Sequence, residues 1–165
     1  MAIRELIIVS LLLFCGCQST KSCDVVHLDG ADPAFSSARL TFPIRDKVHG
    51  IGVHMISTPG QISTYLEVHL QTIPPYRGDP KEGLVKITMN GKTLRSTAYR
   101  HEGGQRLSLS PEMNYLLIEA LQNHHPVTLE LEGYSTTLDP QDFSEQYEKL
   151  QTAPLKNRLQ LPFKL

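Results

Sequence analysis

The chain has 165 residues, of which 40% are hydrophobic and 20% are charged, and its formal net charge is −1. This length indicates one globular domain, and the apolar content is too high for a disordered chain. The balance of 16 basic and 17 acidic residues excludes a strongly basic nucleic-acid binder and a polyacidic tail. The 11 glycines, the 11 prolines and the absence of tryptophan favour strands and turns over long helices.

An apolar run opens the chain, from Leu6 to Phe14, with Arg4 shortly before it. These nine residues are too few to span a bilayer, which needs about 20 apolar residues. They suit the apolar region of a secretory signal peptide. The run ends in Phe14-Cys15-Gly16-Cys17, so a small residue stands directly before a cysteine.

This ending resembles the lipobox of bacterial lipoproteins, which has an apolar residue at −3, a small one at −1 and a cysteine at +1. The resemblance implies cleavage before Cys17, a diacylglycerol thioether on its thiol, and acyl chains that hold the protein on a membrane. Gln18 and Ser19 differ from the aspartate typical of inner-membrane retention, so the resemblance also implies the outer membrane, facing the periplasm. The alternatives are an ordinary cleaved signal peptide and an uncleaved N-terminal anchor.

Cysteine usage agrees with this interpretation. Cleavage removes Cys15 and lipidation uses Cys17, so Cys23 is the one thiol left in the mature chain and no intrachain disulfide can form. We expect Cys23 to be a bystander in a tether, with intermolecular pairing or a second acylation as the alternatives. The exported domain must then be stable without disulfides.

We predict four segments along the chain. They are a signal peptide at 1–16, a tether at 17–37, a β-rich globular domain at 38–151 and an extended C-terminal tail at 152–165. The tether is rich in Ser, Thr, Asp and Gly, with room for one short edge strand near Val25.

Alternation of apolar and polar residues predicts the strands of the domain. The Asn90-Gly91 pair predicts a tight hairpin between two of them, because both turn residues need positive φ. The alternating stretches are 38–45, 51–56, 66–71, 84–89, 93–99, 107–109 and 127–131.

Two helices are predicted in the C-terminal half. Ser110 and Pro111 are typical of a helix start, and this helix ends near Asn123, before Pro126. Asp139-Pro140 begins the second helix. The expected fold is therefore mainly β, of the α+β kind. We picture it as an antiparallel or mixed β-sandwich of about seven strands with two short helices.

Histidines supply the candidates for chemistry. His54 and His69 lie on predicted strands, opposite the aliphatic side chains, where they could form a metal or pH-sensitive site. His101-Glu102 could act as an acid–base pair on a turn. Exposed strand positions and an ordinary turn explain both equally well. The sequence has no ligand set, nucleophile elbow or phosphate loop, so we predict no catalytic residue, metal or cofactor. The scattered tyrosines argue against nucleic acid.

Two segments look like contact surfaces. The loop at 73–82 carries three prolines and presents Tyr76 and Arg77; a stiff loop loses little entropy on binding. In the tail, Leu161 and Phe163 belong to a period-2 pattern, and this segment either packs on its own domain or adds to a partner's sheet edge.

The sequence thus favours a lipid-anchored bacterial envelope protein with a small non-catalytic domain. That domain would bind an envelope protein partner or aid envelope assembly. A domain that binds a small molecule or a glycan is the alternative, and a hydrolytic enzyme is the less favoured third.

Overall fold

The computed structural model describes residues 21–28, 37–58 and 60–159. These residues form nine strands and two helices. The strands are β1 (Asp24–Leu28), β2 (Ser37–Phe42), β3 (Gly52–Thr58), β4 (Gln61–Glu67), β5 (Glu82–Met89), β6 (Lys92–Arg100), β7 (Arg106–Ser108), β8 (Val127–Leu131) and β9 (Tyr134–Leu138). The helices are α1 (Pro111–Gln122) and α2 (Phe143–Leu159).

All nine strands belong to one sheet, in the order β1-β2-β3-β4-β7-β6-β5-β8-β9, and every neighbouring pair is antiparallel. The predicted class is confirmed: the fold is mainly β and antiparallel, with two helices in the C-terminal half. Because side chains alternate across a sheet, the alternating strands bury one face and leave the other to solvent. The two helices cover the buried face, α2 against β1–β3 and α1 against β4 and β8.

Two strands exceed the predicted number. The strand β9 follows β8 through the two-residue turn Glu132-Gly133, where Gly133 has a φ of 79°. The strand β1 lies inside the segment that the sequence assigns to a tether, at Val25, where the sequence leaves room for one short edge strand. Its pairing with β2 makes it part of the domain, so the predicted boundary at residue 38 is too late.

Reciprocal hydrogen bonds also fix the residues before β1. The backbone N–H of Ser22 donates to the Asp142 carboxylate (2.7 Å), and the backbone N–H of Asp142 donates to the Ser22 hydroxyl (3.1 Å). Asp142 directly precedes α2, so these bonds join the start of the sheet to the start of the last helix. The folded domain therefore begins at Ser22 or before it.

The end of the chain differs from the prediction as well. We predict an extended tail from residue 152, whereas α2 continues to Leu159. Pro154 lies within this helix, since a proline inside a helix removes one hydrogen bond without excluding helical structure. Residues 160–165 lie outside the described residues. No helix of the described part is long and apolar enough to cross a bilayer.

The helix α1 follows from local signals. Ser110 has extended backbone angles, and its hydroxyl accepts a hydrogen bond from the backbone N–H of Met113 at 3.3 Å, as an N-cap residue does. Pro111 occupies the first turn, where its missing N–H has no intrahelical partner to lose. The side chains that α1 buries are Met113, Leu117, Ala120 and Leu121, which share one side at helical spacing.

Cys23 belongs to the hydrophobic core of the domain. Its side chain is 1% exposed, and burial raises the pKa of its thiol to about 11. The thiolate is the nucleophile in disulfide exchange and acylation, so burial and protonation together make Cys23 inert. Both alternatives considered from the sequence, pairing with another chain and a second acylation, therefore need the domain to open first.

We expect slow alkylation of Cys23 in the native protein. In the mature chain with its other thiol lipidated or replaced by serine, iodoacetamide at pH 8 should modify Cys23 at least about 100-fold more slowly than in urea. Raising the pKa from 9.0 to about 11 lowers the thiolate fraction at pH 8 by about 100-fold. Burial also slows the access of iodoacetamide to the sulfur. Equal rates in the native and unfolded chains would contradict the buried placement.

Candidate functional site

A tight turn presents Tyr76 and Arg77 at the surface. Arg77 and Gly78 both have positive φ, 50° and 83°, the combination of a type I′ turn. The backbone N–H of Asp79 donates to the Tyr76 carbonyl at 3.0 Å and closes the turn. Tyr76 is half-buried and Arg77 exposed, with the guanidinium carbon of Arg77 5.1 Å from the centre of the Tyr76 ring. This turn belongs to the proline loop, which we define as residues 73–81.

Arg100, at the end of β6, holds both ends of the proline loop. Its Nε donates to the Ile73 carbonyl at 2.7 Å, and its Nη1 donates to the Pro80 carbonyl at 3.2 Å. Its backbone N–H donates to the Lys81 carbonyl at 2.7 Å. Hydrogen bonds from a charged donor are stronger than neutral ones, so the Arg100 side chain adds two strong bonds to those that the loop forms within itself.

Gly104 makes room for Arg100. A Cβ on Gly104 would lie 2.0 Å from Nη2 of Arg100, and the φ of Gly104 is 68°, which L side chains rarely adopt. The backbone N–H of Ile73 also donates to the Gly104 carbonyl at 2.7 Å. The glycine-rich turn between β6 and β7, which the sequence offered as a possible catalytic turn, thus supports the proline loop.

A groove with a volume of about 620 Å³ lies beside the proline loop. Pro74, Pro75, Tyr76 and Arg77 line it from the loop. The strands β5 and β8 and the turn after β8 line the rest, with the side chains of Leu84, Lys86, Glu130 and Glu132. The groove therefore combines apolar and aromatic surface with charges of both signs, as binding sites commonly do.

The two charges on the groove's floor pair with each other. Lys86 of β5 and Glu130 of β8 occupy directly opposite positions, and their Nζ and Oε2 lie 3.7 Å apart. Both side chains are more than a third exposed, so the pair contributes little to stability. Its charges therefore remain accessible to a bound molecule.

Two of the sequence-predicted contact residues, Tyr76 and Arg77, thus lie together in the groove. The other two, Leu161 and Phe163, and the predicted lipid-attachment residue Cys17 lie outside the described residues. Sequence reasoning missed the groove's second side, Lys86, Glu130 and Glu132, and the supporting Arg100. Glu132-Gly133 between apolar stretches was an available signal for a turn.

The candidate His54 belongs to a separate cluster of polar side chains, on the solvent-facing side of β2, β3 and β4. His54 Nδ1 lies 3.2 Å from the Thr41 hydroxyl, and its Nε2 lies 3.9 Å from Glu67, which also binds Arg106 at 3.1 Å. Burial lowers the pKa of His54, more than the Glu67 charge raises it. His69 lies beyond the end of β4 rather than on a strand.

His101 meets a serine instead of its neighbour Glu102. Its Nε2 lies 2.5 Å from the Ser108 hydroxyl, and the Tyr99 ring packs edge-on at a centroid distance of 5.0 Å. The structure therefore does not bring His101 and Glu102 together as an acid–base pair. Within residues 21–28, 37–58 and 60–159, no group of three or more His, Cys, Asp or Glu side chains could hold a metal ion.

Comparison with known proteins adds no family. No protein-family model matches the chain, and neither the curated proteins nor the solved structures give a match.

The contact between Gly104 and Arg100 makes a quantitative prediction. Gly104→Ala should lower the free energy of unfolding by roughly 1–2 kcal/mol more than Gly103→Ala, measured by urea denaturation. Both glycines have positive φ, but a Cβ on Gly103 meets nothing within 4 Å, so the difference isolates the displacement of Arg100. Amide exchange in the proline loop should accelerate only in Gly104→Ala. Equal effects of the two variants would contradict the support by Arg100.

Proposed function

We propose that this protein is a bacterial envelope lipoprotein, anchored through Cys17, whose small non-catalytic domain binds a protein partner or aids envelope assembly. The groove beside the proline loop is the proposed contact site. The lipobox resemblance supports the anchor, and with Gln18 and Ser19 after the cysteine it supports the outer membrane, facing the periplasm. The geometry of the loop supports the binding role.

The observation that carries the binding role is the fixed shape of the proline loop. Prolines restrict its backbone, Arg100 holds it at both ends, and the turn at Arg77 is hydrogen-bonded. Binding normally costs about 0.5–1.5 kcal/mol for each flexible side chain that is immobilised, and loop ordering adds to this cost. A surface that is already ordered avoids much of the loss, and Tyr and Arg are the residue types that most often dominate protein interfaces.

The groove's size supports a second candidate. A volume of about 620 Å³ lies within the range of roughly 300–1,000 Å³ that is usual for small-molecule sites. A domain that binds a small molecule or a glycan in the same groove is therefore the alternative function.

Metabolic palmitate labelling tests the anchor. We expect label in the wild type and in Cys15→Ser, and none in Cys17→Ser, which should accumulate as a larger, unprocessed precursor. Only the cysteine at +1 can take the diacylglycerol, whereas Cys15 leaves with the signal peptide. Label that persists in Cys17→Ser, or a wild type that is cleaved and released from membranes without label, would contradict the lipoprotein assignment.

Site-specific photo-crosslinking tests the contact site. A photoreactive amino acid at Tyr76 should give a discrete protein adduct in intact cells, and the same group at Tyr115 should not. Tyr115 is a matched control because it is a 64% exposed tyrosine on α1, away from the groove.

The substitution Arg100→Ala should reduce the Tyr76 adduct, because it releases the proline loop without changing the identity of any residue that lines the groove. Equal adducts from Tyr76 and Tyr115, or none from Tyr76, would contradict a partner site in the groove.

A further inference from the structure

The position of the groove relative to the proposed anchor has a consequence for the partner. The register of the first four strands is continuous: the start of β1 pairs with the end of β2, and the start of β3 pairs with the ends of β2 and β4. The residues before β1 and the connection after β4 therefore lie at the same end of these strands. That connection includes the proline loop, and only three strand spacings, roughly 14 Å, separate β1 from β4.

The chain between the anchor and the domain is short. Ser22 is bound to Asp142, so four residues, 18–21, separate Cys17 from the folded domain. Fully extended chain spans at most about 3.3–3.6 Å per residue, so the link from Cys17 to Ser22 reaches no more than roughly 18 Å. A domain held by its β1 end on such a link keeps that end, and the groove with it, close to the bilayer surface.

Two opposite charges stand on the groove's walls. Arg77 comes from the proline loop and Glu132 from the turn between β8 and β9, and both are exposed. Among the ion pairs of the described residues, none involves either side chain, in contrast to Lys86 and Glu130 on the floor.

Arg77 also occupies an unfavourable backbone position. Its φ of 50° lies in the left-handed region, where Gly, Asn and Asp are the usual residues. A residue held in such a conformation needs support from its surroundings, and strained positions are concentrated at functional sites. Compared with Gly, Asn or Asp at this position, an arginine makes the turn less stable, but it places a guanidinium group at the groove.

We propose that the groove binds a surface segment of a protein embedded in the same membrane, a segment that carries an acidic side chain for Arg77 and a basic one for Glu132. This proposal rests on the proposed lipoprotein function and specifies its partner. The guanidinium offers a two-pronged hydrogen-bond donor to a carboxylate, and Glu132 accepts from an ammonium or guanidinium group. Opposite charges on the two walls fix the direction in which the segment lies.

Lengthening the link tests where the partner is. Thirty Gly/Ser residues inserted between Thr20 and Lys21 should lower the yield of the Tyr76 adduct in cells by about threefold or more, because the effective concentration at a membrane-bound partner falls as the link lengthens. Palmitate labelling of the insertion variant should equal that of the wild type. With a cleavable photo-crosslinker, the partner freed from the adduct should stay with the membrane after carbonate extraction at high pH, as an integral protein does. The partner must be freed first, because the acyl chains on Cys17 would hold any intact adduct in the membrane.

Single charge removals test how the partner is recognised. Arg77→Asn keeps a residue that tolerates positive φ, and Glu132→Gln keeps the size of the side chain, so neither should unfold the turn that carries it. Each should reduce the adduct by roughly three- to fivefold, equivalent to about 1 kcal/mol for an exposed charge pair. Lys92→Gln, a charge removal at an exposed position outside the groove, should leave the yield unchanged.

The outcomes separate this proposal from the one on which it rests. An unchanged adduct after lengthening, or a freed partner that carbonate releases from the membrane, would overturn the membrane-embedded partner and leave the groove as a partner site. Equal yields in the three charge variants would overturn the charge recognition. A lipid adduct in place of a protein would show that the groove contacts the bilayer and would overturn the proposal. Absence of any Tyr76 adduct would overturn the partner site in the groove, and with it this proposal, and would leave the lipid anchor to its own test.

Discussion

The sheet has one apolar face, which the curl of the sheet and the two helices bury together. In a flat sheet, six strand spacings would place β3 and β9 roughly 29 Å apart. Instead the backbone N–H of Ser135 donates to the His49 carbonyl at 3.0 Å, and Arg45 lies 3.7 Å from Asp139. The strand β9 thus runs along the connection between β2 and β3. The helices fill the space that the curl encloses, and one hydrophobic core extends from β1 to α2.

The curl also positions the groove. The Tyr134 hydroxyl accepts a hydrogen bond from the backbone N–H of Gln71 at 3.0 Å, which brings the turn before β9 beside the connection that follows β4. The proline loop and the Glu132-Gly133 turn can form one groove only because of this approach. A site built from loops on a rigid sheet can hold charged side chains at fixed positions, since the packing of the sheet, and not the loops, stabilises the fold.

Local signals predicted those elements that depend on neighbouring residues alone. Ser110 and Pro111 marked the start of α1, and Asn90 and Gly91, with φ of 49° and 72°, marked the β5–β6 hairpin. The prediction of a strand at 66–71 was wrong in its bounds, since β4 runs over Gln61–Glu67. Residues 61–64 lack clear alternation, although Thr64 is buried. Its hydroxyl is satisfied by the Asn114 side chain of α1, a partner fifty residues away that no local pattern reveals.

Only one side of the candidate site was predictable from the sequence, because only that side depends on neighbouring residues alone. Pro74, Pro75 and the Tyr76-Arg77 pair identified a stiff loop, since proline restricts the backbone wherever it occurs. The opposing surface depends on the pairing of β5 with β8, which are separated in sequence by β6, β7 and α1. The role of Arg100 depends on a close approach to Gly104 that follows from tertiary structure.

The corrected start of the domain changes what an anchor at Cys17 would do. A flexible tether over 17–37 would have a root-mean-square length of roughly 25 Å and would let the domain turn freely above the membrane. The bonds between Ser22 and Asp142, together with the pairing of β1, take most of that tether into the fold. An anchor at Cys17 would then be separated from Ser22 by only four residues, and so short a link would restrict the orientation of the domain as well as its height above the membrane. Such an attachment would determine which loops a neighbouring membrane protein could reach, and the proline loop lies at the end of the sheet that would face the membrane.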